Sequence, residues 1–198
     1  MDSIFKGNSD VRISVSGVQS SGKTTILQQL KTDSNISSRF KFIEKITRNI
    51  KNKGLDINNQ GIHYDTTQLL IMAGHIENSL NDNIILDRCA LDGLAYTTYL
   101  YKHKKVQQWV LDYAIKVFEK LQPIYDIIFI TLPEFGIEND GTRSIDKNFR
   151  DEMVEIFDNI IVKYKLFVVY LSGSVEERTE RIKKQIEYLD WLNDPKTM

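Results

Sequence analysis

Residues 17–25 read GVQSSGKTT, directly after the short apolar stretch VRISVS at 11–16. Gly17, Gly22, Lys23 and Thr24 fall at the spacing G-x-x-x-x-G-K-[ST], the pattern of a loop that cradles phosphate. Each residue type answers a chemical need. The glycines let the backbone curl so that consecutive N–H groups across Val18, Gln19, Ser20 and Ser21 point inward at phosphate oxygens. A helix beginning near Lys23, with Thr24 and Thr25 in its first turn, adds its positive N-terminal end. Lys23 is placed to reach the β and γ phosphates of ATP, and the Thr24 hydroxyl to hold Mg²⁺. ATP and Mg²⁺ are the expected cofactors.

A second group follows at Ile84-Ile-Leu-Asp87-Arg88. Here a carboxylate sits where a buried strand emerges, the position from which an acid reaches the magnesium shell beside a phosphate loop. Asp87 also precedes a helix starting near Ala90, so a helix cap is the competing reading, and the two are compatible. Arg88 next to it suits bidentate binding of an anion, against a plain ion pair with Asp87 or Asp92. Further on, Arg143, Lys147 and Arg150 are spaced i, i+4, i+7, which lines them along one helix face. The loop ahead of them carries two glycines, and residues 133–150 read as a lid whose cations neutralise a transferring phosphoryl group. A solvated helix face, with Asp146, Asp151 and Glu152 as partners, is the alternative.

These groups need a scaffold. The chain has 198 residues, 41% hydrophobic and 27% charged, which suits one globular domain with a full core. Five short β-rich runs stand out, at 11–16, 41–43, 84–86, 126–131 and 167–171. Helical spacing fills 25–30, 66–80, 90–100, 106–121, 149–161 and 175–192. The helix over 66–80 is expected to bury Leu69, Leu70, Met72, Ala73, Ile76 and Leu80. The last helix opens on a capping box, Ser174-Val-Glu-Glu177. Strands alternating with helices predict an α/β fold of the P-loop NTPase kind: a five-stranded parallel sheet covered on both faces, plus the short lid. Residues 1–10 and 193–198 read as flexible ends. Ligands then bind beyond the carboxyl ends of the strands, where every motif above falls.

Asp87-Arg88-Cys-Ala-Leu-Asp-Gly-Leu-Ala95-Tyr96 resembles the D-R-Y-x-x-S-x-x-A-Y stretch of thymidylate kinases and related deoxynucleoside kinases. Phe42-Ile-Glu-Lys-Ile-Thr47-Arg48 is similar to the second strand and T-R of thymidylate kinases, which implies that Arg48 holds an acceptor phosphate. The chain departs from that pattern at Asn49-Ile-Lys, where the family has Glu-Pro-Gly-Gly-Thr, and at Cys89, where it has tyrosine. Asp140-Gly-Thr-Arg143, then Phe149-Arg150, resembles the D-G-x-R segment of bacterial nicotinamide-riboside kinases, as does Leu171-Ser-Gly-Ser-Val-Glu-Glu-Arg178. The resemblance implies kinase activity, with Arg143, Arg150 and Arg178 near ATP and Arg143 assisting transfer.

The acceptor is then the open question. A monophosphate, with its second pKa about 6, is mostly ionised near neutrality and calls for cations more than for a base. A hydroxyl acceptor calls for a base, and Asp87 is the candidate. Arg48 and Arg88 on the acceptor side favour a deoxynucleoside monophosphate over a nucleoside, nicotinamide riboside or a modified base in DNA. Tyr96, like Tyr64 and Tyr99, is placed to stack on a base or to serve as an ordinary core aromatic.

Other classes fit less well. Net charge is −1, which disfavours a long nucleic-acid partner, although Lys102-His-Lys-Lys105 forms a short basic run. A switch GTPase needs N-K-x-D, and Asn52-Lys53-Gly54-Leu55 fails at the fourth position. A remodelling ATPase needs a further helical domain for which the length leaves no room. A nucleotide-binding regulator without catalysis is the remaining non-enzyme reading. His63 and His75 lack metal spacing, and Cys89 reads as a small buried residue. With one cysteine, no h-region and no apolar run near about 18 residues, a cytoplasmic protein is expected, free of the membrane and open to homodimer formation.

Overall fold

The computed structural model describes residues 10–44, 46–55, 64–133 and 147–193. Five strands, β1 (Arg12–Ser16), β2 (Lys41–Ile43), β3 (Ile84–Asp87), β4 (Ile127–Thr131) and β5 (Val168–Leu171), pair in the order β2-β3-β1-β4-β5, all parallel. Parallel neighbours require crossover connections, and the helical segments between the strands supply them. The predicted α/β sheet is thus the observed one.

Alternation along the strands divides the core. Ile13 and Val15 of β1, with Ile85, Phe129 and Leu171, face Ile26, Leu27 and Leu30 of α1 (Lys23–Thr32) and Ile182 and Ile186 of α8 (Val175–Asn193). On the opposite face Ile84, Leu86, Ile128 and Ile130 meet four helices: α4 (Tyr64–Asn78), α5 (Ala90–Lys102), α6 (Gln108–Leu121) and α7 (Lys147–Tyr164). Each fully buried side chain of this size contributes roughly 1.5–3 kcal/mol, so the sheet is held from both sides. β1 lies between β3 and β4, which puts the end of β1 at the centre of the carboxyl edge.

Two short helices carry too little periodicity to be read from sequence. The first, α2 (Ser34–Arg39), starts on a cap instead: the Asp33 carboxylate accepts the N–H groups of Asn35 and Ile36. The second, α3 (Ile46–Asn52), follows β2 and carries Arg48.

The inward face of α4 is also not the expected one. Tyr64, Thr67, Gln68, Ile71, Met72 and His75 are buried, whereas Leu70, Ile76 and Leu80 are 42%, 39% and 66% exposed. Polar partners across the α4–α5 contact decide this. Thr97 donates to Gln68 Oε1 at 3.1 Å, and Gly93 leaves room for Met72 and His75. A Cβ at Gly93 would come within 2.4 Å of the Met72 sulfur, so a glycine is needed there.

Candidate active site

The phosphate loop leaves β1 at Gly17, whose φ is +122° and whose added Cβ would lie 2.8 Å from the Thr131 carbonyl oxygen. Both facts demand glycine. Gly22, at φ +84°, turns the chain into α1. Lys23 is buried and folded onto its own loop, donating from Nζ to the carbonyls of Gly17 at 2.9 Å and Val18, and to Ser21 Oγ at 3.0 Å. The ammonium is thus parked on acceptors that a phosphate can replace. Gln19, Ser20 and Ser21 are buried along the loop, Thr24 is half-buried and Thr25 is exposed.

The loop is braced from two sides, by Thr131, which the sequence reading left out of the site, and by Arg178, which the resemblance placed near ATP. Thr131, at the end of β4, hydrogen-bonds Ser21 Oγ and donates to the Ser16 carbonyl at 3.0 Å. From the other side comes Arg178 on α8, fully buried, donating to the Ser21 carbonyl at 2.9 Å and the Gly173 carbonyl at 2.8 Å. Its start is fixed by the expected capping box, Ser174 N–H to Glu177 Oε2 at 2.7 Å and Glu177 N–H to Ser174 Oγ at 3.2 Å. Arg178 therefore reaches the loop backbone. Beside Gly17 and Val18 a mainly apolar cleft of about 250 Å³ opens between β4 and α7, with Phe157 and Tyr170 among its walls.

β3 runs directly alongside β1, with Val15 opposite Asp87. This register carries Asp87 to the mouth of the phosphate loop. Asp87 is half-buried, and among the described residues its carboxylate makes no hydrogen bond. It does not cap α5, whose N-cap is Cys89. The capping carboxylate is that of Asp92, which accepts the Cys89 N–H at 3.0 Å.

Arg88 has φ +75°, a conformation costly for a residue with a Cβ. Its Nη1 donates to the Gly17 carbonyl at 3.2 Å and to Asp92 Oδ1 at 3.0 Å, and its guanidinium lies 5.3 Å from the centre of the Tyr96 ring. Burial works against the charge of Arg88, but the Tyr96 side chain, through its hydroxyl, and the carboxylates of Asp92 and Asp87 outweigh it and hold the group protonated. The ion pair with Asp92, one of the two plain pairings open from sequence, is therefore formed. Burial, aided by Asp92, pushes the Cys89 thiol up to about 11, so it is protonated at neutral pH and is no nucleophile.

The other expected site residues divide. Tyr96 is half-buried against Arg88, while Tyr99 packs edge-on to Phe149 at 4.7 Å and Tyr64 is buried, both in the core. Arg48 sits on α3, beyond β2. Arg150 is half-buried in the first turn of α7, next to the buried Phe149. Glu152, an expected partner of the lid cations, pairs with Lys102 at 3.1 Å and His103 at 2.8 Å, which neutralises part of the basic run. Arg143, most of the proposed lid and His63 lie outside the described residues. Among the described residues no three His, Cys, Asp or Glu side chains cluster as a metal site, and no helix is long and apolar enough to cross a membrane.

His75 lies beneath this site, 3% exposed. Burial lowers its imidazole to about 4, with Asp92 opposing and Arg88 reinforcing the shift. The sign follows from proton linkage. The unfolded chain binds a proton near the ordinary value of about 6.5 and the folded one only near 4, so stability is full above about pH 6.5 and falls as pH drops. This residue alone should remove about 2 kcal/mol between pH 7 and pH 5. Urea midpoints for wild type and His75→Leu at both pH values test this: the difference between the two proteins should narrow or reverse at pH 5. A constant difference would exclude His75 as a source of acid sensitivity.

A family model described as AAA domain matches residues 12–178, from the first residue of β1 into α8. The chain belongs to that family. As an AAA domain it keeps the whole sheet and the phosphate loop within the matched region. No curated protein sequence matches it. Solved structures of similar fold include a deoxyadenosine kinase from M. mycoides with bound dCTP, at 14% identity and TM-score 0.62, covering 90% of this chain and 100% of that one. The NadR protein in complex with NR gives 20% identity and TM-score 0.68, covering 90% of this chain and 51% of that one. Thymidylate kinase from Candida albicans gives 21% identity and TM-score 0.59, covering 91% and 93%. At these identities the likeness establishes the fold, that of P-loop nucleoside and nucleotide kinases.

Proposed function

We propose that the protein is an ATP-dependent phosphotransferase whose acceptor is a nucleotide, a deoxynucleoside monophosphate of the thymidylate kind. One observation carries this reading: the register of β1 against β3 brings the Asp87–Arg88 turn onto the phosphate loop, with Arg88 bonded to Gly17. A donor phosphate on the loop then lies beside an arginine that can hold an acceptor phosphate. That similar folds belong to deoxyadenosine kinase and thymidylate kinase supports the same class.

The residues also fit Mg²⁺. Magnesium keeps several waters and takes one or two protein oxygens plus substrate phosphates, so a dedicated cluster is not required. The Asp87 carboxylate, without a hydrogen bond among the described residues, and the half-buried Thr24 would hold it. When bound, the ion neutralises charge on the β and γ phosphates. The chain's own part is to bind and orient. Lys23 leaves its loop carbonyls for the donor phosphates, Arg178 and Thr131 keep the loop in shape, and Arg88, with Arg48 from α3, offers charge to the acceptor. Arg143 and Arg150, the cations of the lid, add charge to the transferring phosphoryl group.

Steady-state ADP release tests the assignment. It should require ATP, magnesium and an added acceptor together, and chelation of the metal should stop it. Acceptor-independent hydrolysis, or nucleotide binding with no turnover across a panel of nucleosides and monophosphates, would replace the kinase reading with that of a regulator.

A further inference from the structure

Gly17 is tied to the acceptor side through both of its backbone polar groups. Its N–H donates to Asp92 Oδ1 at 3.3 Å, and its carbonyl accepts from Arg88 Nη1 at 3.2 Å as well as from Lys23 Nζ at 2.9 Å. The same Asp92 oxygen takes Arg88 Nη1 at 3.0 Å, and its second oxygen takes the Cys89 N–H. Asp92 is 2% exposed, so these bonds form away from water, where charged hydrogen bonds are strong. Two cations from opposite sides of the site share one carbonyl, and one buried carboxylate fixes both the peptide and the arginine.

We infer that Asp92 is a positioning residue which, through the Gly17 backbone, ties Arg88 to the phosphate loop, so that donor nucleotide and acceptor bind with positive coupling. The sign follows from geometry. A donor triphosphate draws Lys23 off the Gly17 carbonyl, leaving that oxygen to Arg88 and removing a neighbouring positive charge. Closing the loop around phosphates also fixes the Gly17 backbone on both sides of its Cα, and with it Asp92 and the arginine. Arg88 is then ordered before the acceptor arrives, and the acceptor meets a smaller ordering cost. By reciprocity the acceptor strengthens donor binding by the same factor. Asp92 and Gly17 both take the same nitrogen of Arg88, and Tyr96 flanks the rest of the guanidinium, so an acceptor phosphate would meet Arg88 beside the Tyr96 side chain. This inference rests on the proposed acceptor role of Arg88.

Calorimetric titration of thymidylate, with and without a non-hydrolysable ATP analogue, measures the coupling. In wild type the analogue should tighten thymidylate binding about fivefold or more, within the usual range of coupling between sites. In Asp92→Asn the ratio should fall to near one, and at saturating ATP the KM for thymidylate should rise about tenfold with a smaller change in kcat. Asp92→Ser, which keeps a short acceptor for the Cys89 N–H, should behave alike. A structural role alone would lower melting temperature without changing the ratio. Amide exchange in a wild-type peptide covering residues 86–95 gives an answer that needs neither a variant nor an acceptor: the analogue alone should slow it. No slowing in wild type, or an unchanged ratio in folded Asp92→Asn, would overturn the inference. Slowing without any binding of a monophosphate would instead leave the coupling standing and reject the acceptor assigned above.

Discussion

Lys23→Ala should lower kcat by about 10³-fold, at the upper end of what removing one transition-state donor costs an enzyme. In the structure Nζ touches the Gly17 and Val18 carbonyls and Ser21 Oγ, all neutral acceptors. A neutral carbonyl or hydroxyl is a weaker partner for an ammonium than a phosphate is. With ATP on the loop the ammonium becomes the main protein counter-charge between the β and γ phosphates, and charge on those oxygens grows in the transition state. Binding should weaken as well, but by less, because the loop N–H groups and the positive end of α1 remain. The fold should survive, since Arg178 and Thr131 hold the loop at Ser21 without Lys23. Single-turnover transfer at saturating ATP, with a melting curve as control, separates these effects. Near wild-type kcat in a folded Lys23→Ala protein would remove the loop from the chemistry.

The parts of this site that could be read from sequence are those fixed by local backbone demands. Gly17 is required by positive φ and close approach and Gly22 by positive φ, and a fixed spacing records both. Asp87 could be placed because a strand of Ile-Ile-Leu must end at the sheet edge. What could not be read depends on distant partners. Asp92 is an ordinary acid in the first turn of a helix until the fold brings Gly17, far away in sequence, against it. The resemblance puts Arg178 near ATP, but its bond to the Ser21 carbonyl of the phosphate loop depends on a fold that brings α8 against α1. On α4, counting leucines chose the wrong face, because Gln68 and His75 are buried against Thr97 and Gly93. Hydrophobic periodicity holds no information about such polar matches. The lid expectation rests on the spacing of Arg143, Lys147 and Arg150 and on the loop before them, most of which lies outside the described residues.

Arg88→Ala should decide what the acceptor is. If Arg88 holds an acceptor phosphate, its loss removes a charge-assisted bond worth roughly 1.5–3 kcal/mol, which corresponds to a fall of about 10- to 150-fold in kcat/KM for thymidylate. The variant also leaves Asp92 as a buried carboxylate without its ion-pair partner, so part of the loss will appear as lower stability. Arg88→Lys separates the two. A lysine keeps the charge near Asp92 but offers no planar fork, so stability should largely return while thymidylate turnover stays depressed. A neutral nucleoside presents no phosphate to this edge, and its slower turnover should be far less sensitive to either change. The comparison that carries the decision is therefore wild type against Arg88→Lys on a nucleoside and its own monophosphate. If wild type prefers the nucleoside by an order of magnitude, and both substrates respond equally to Arg88→Lys, the arginine serves the donor side. Asp87, beside the loop and with no hydrogen bond among the described residues, then becomes the base that takes the proton of an acceptor hydroxyl.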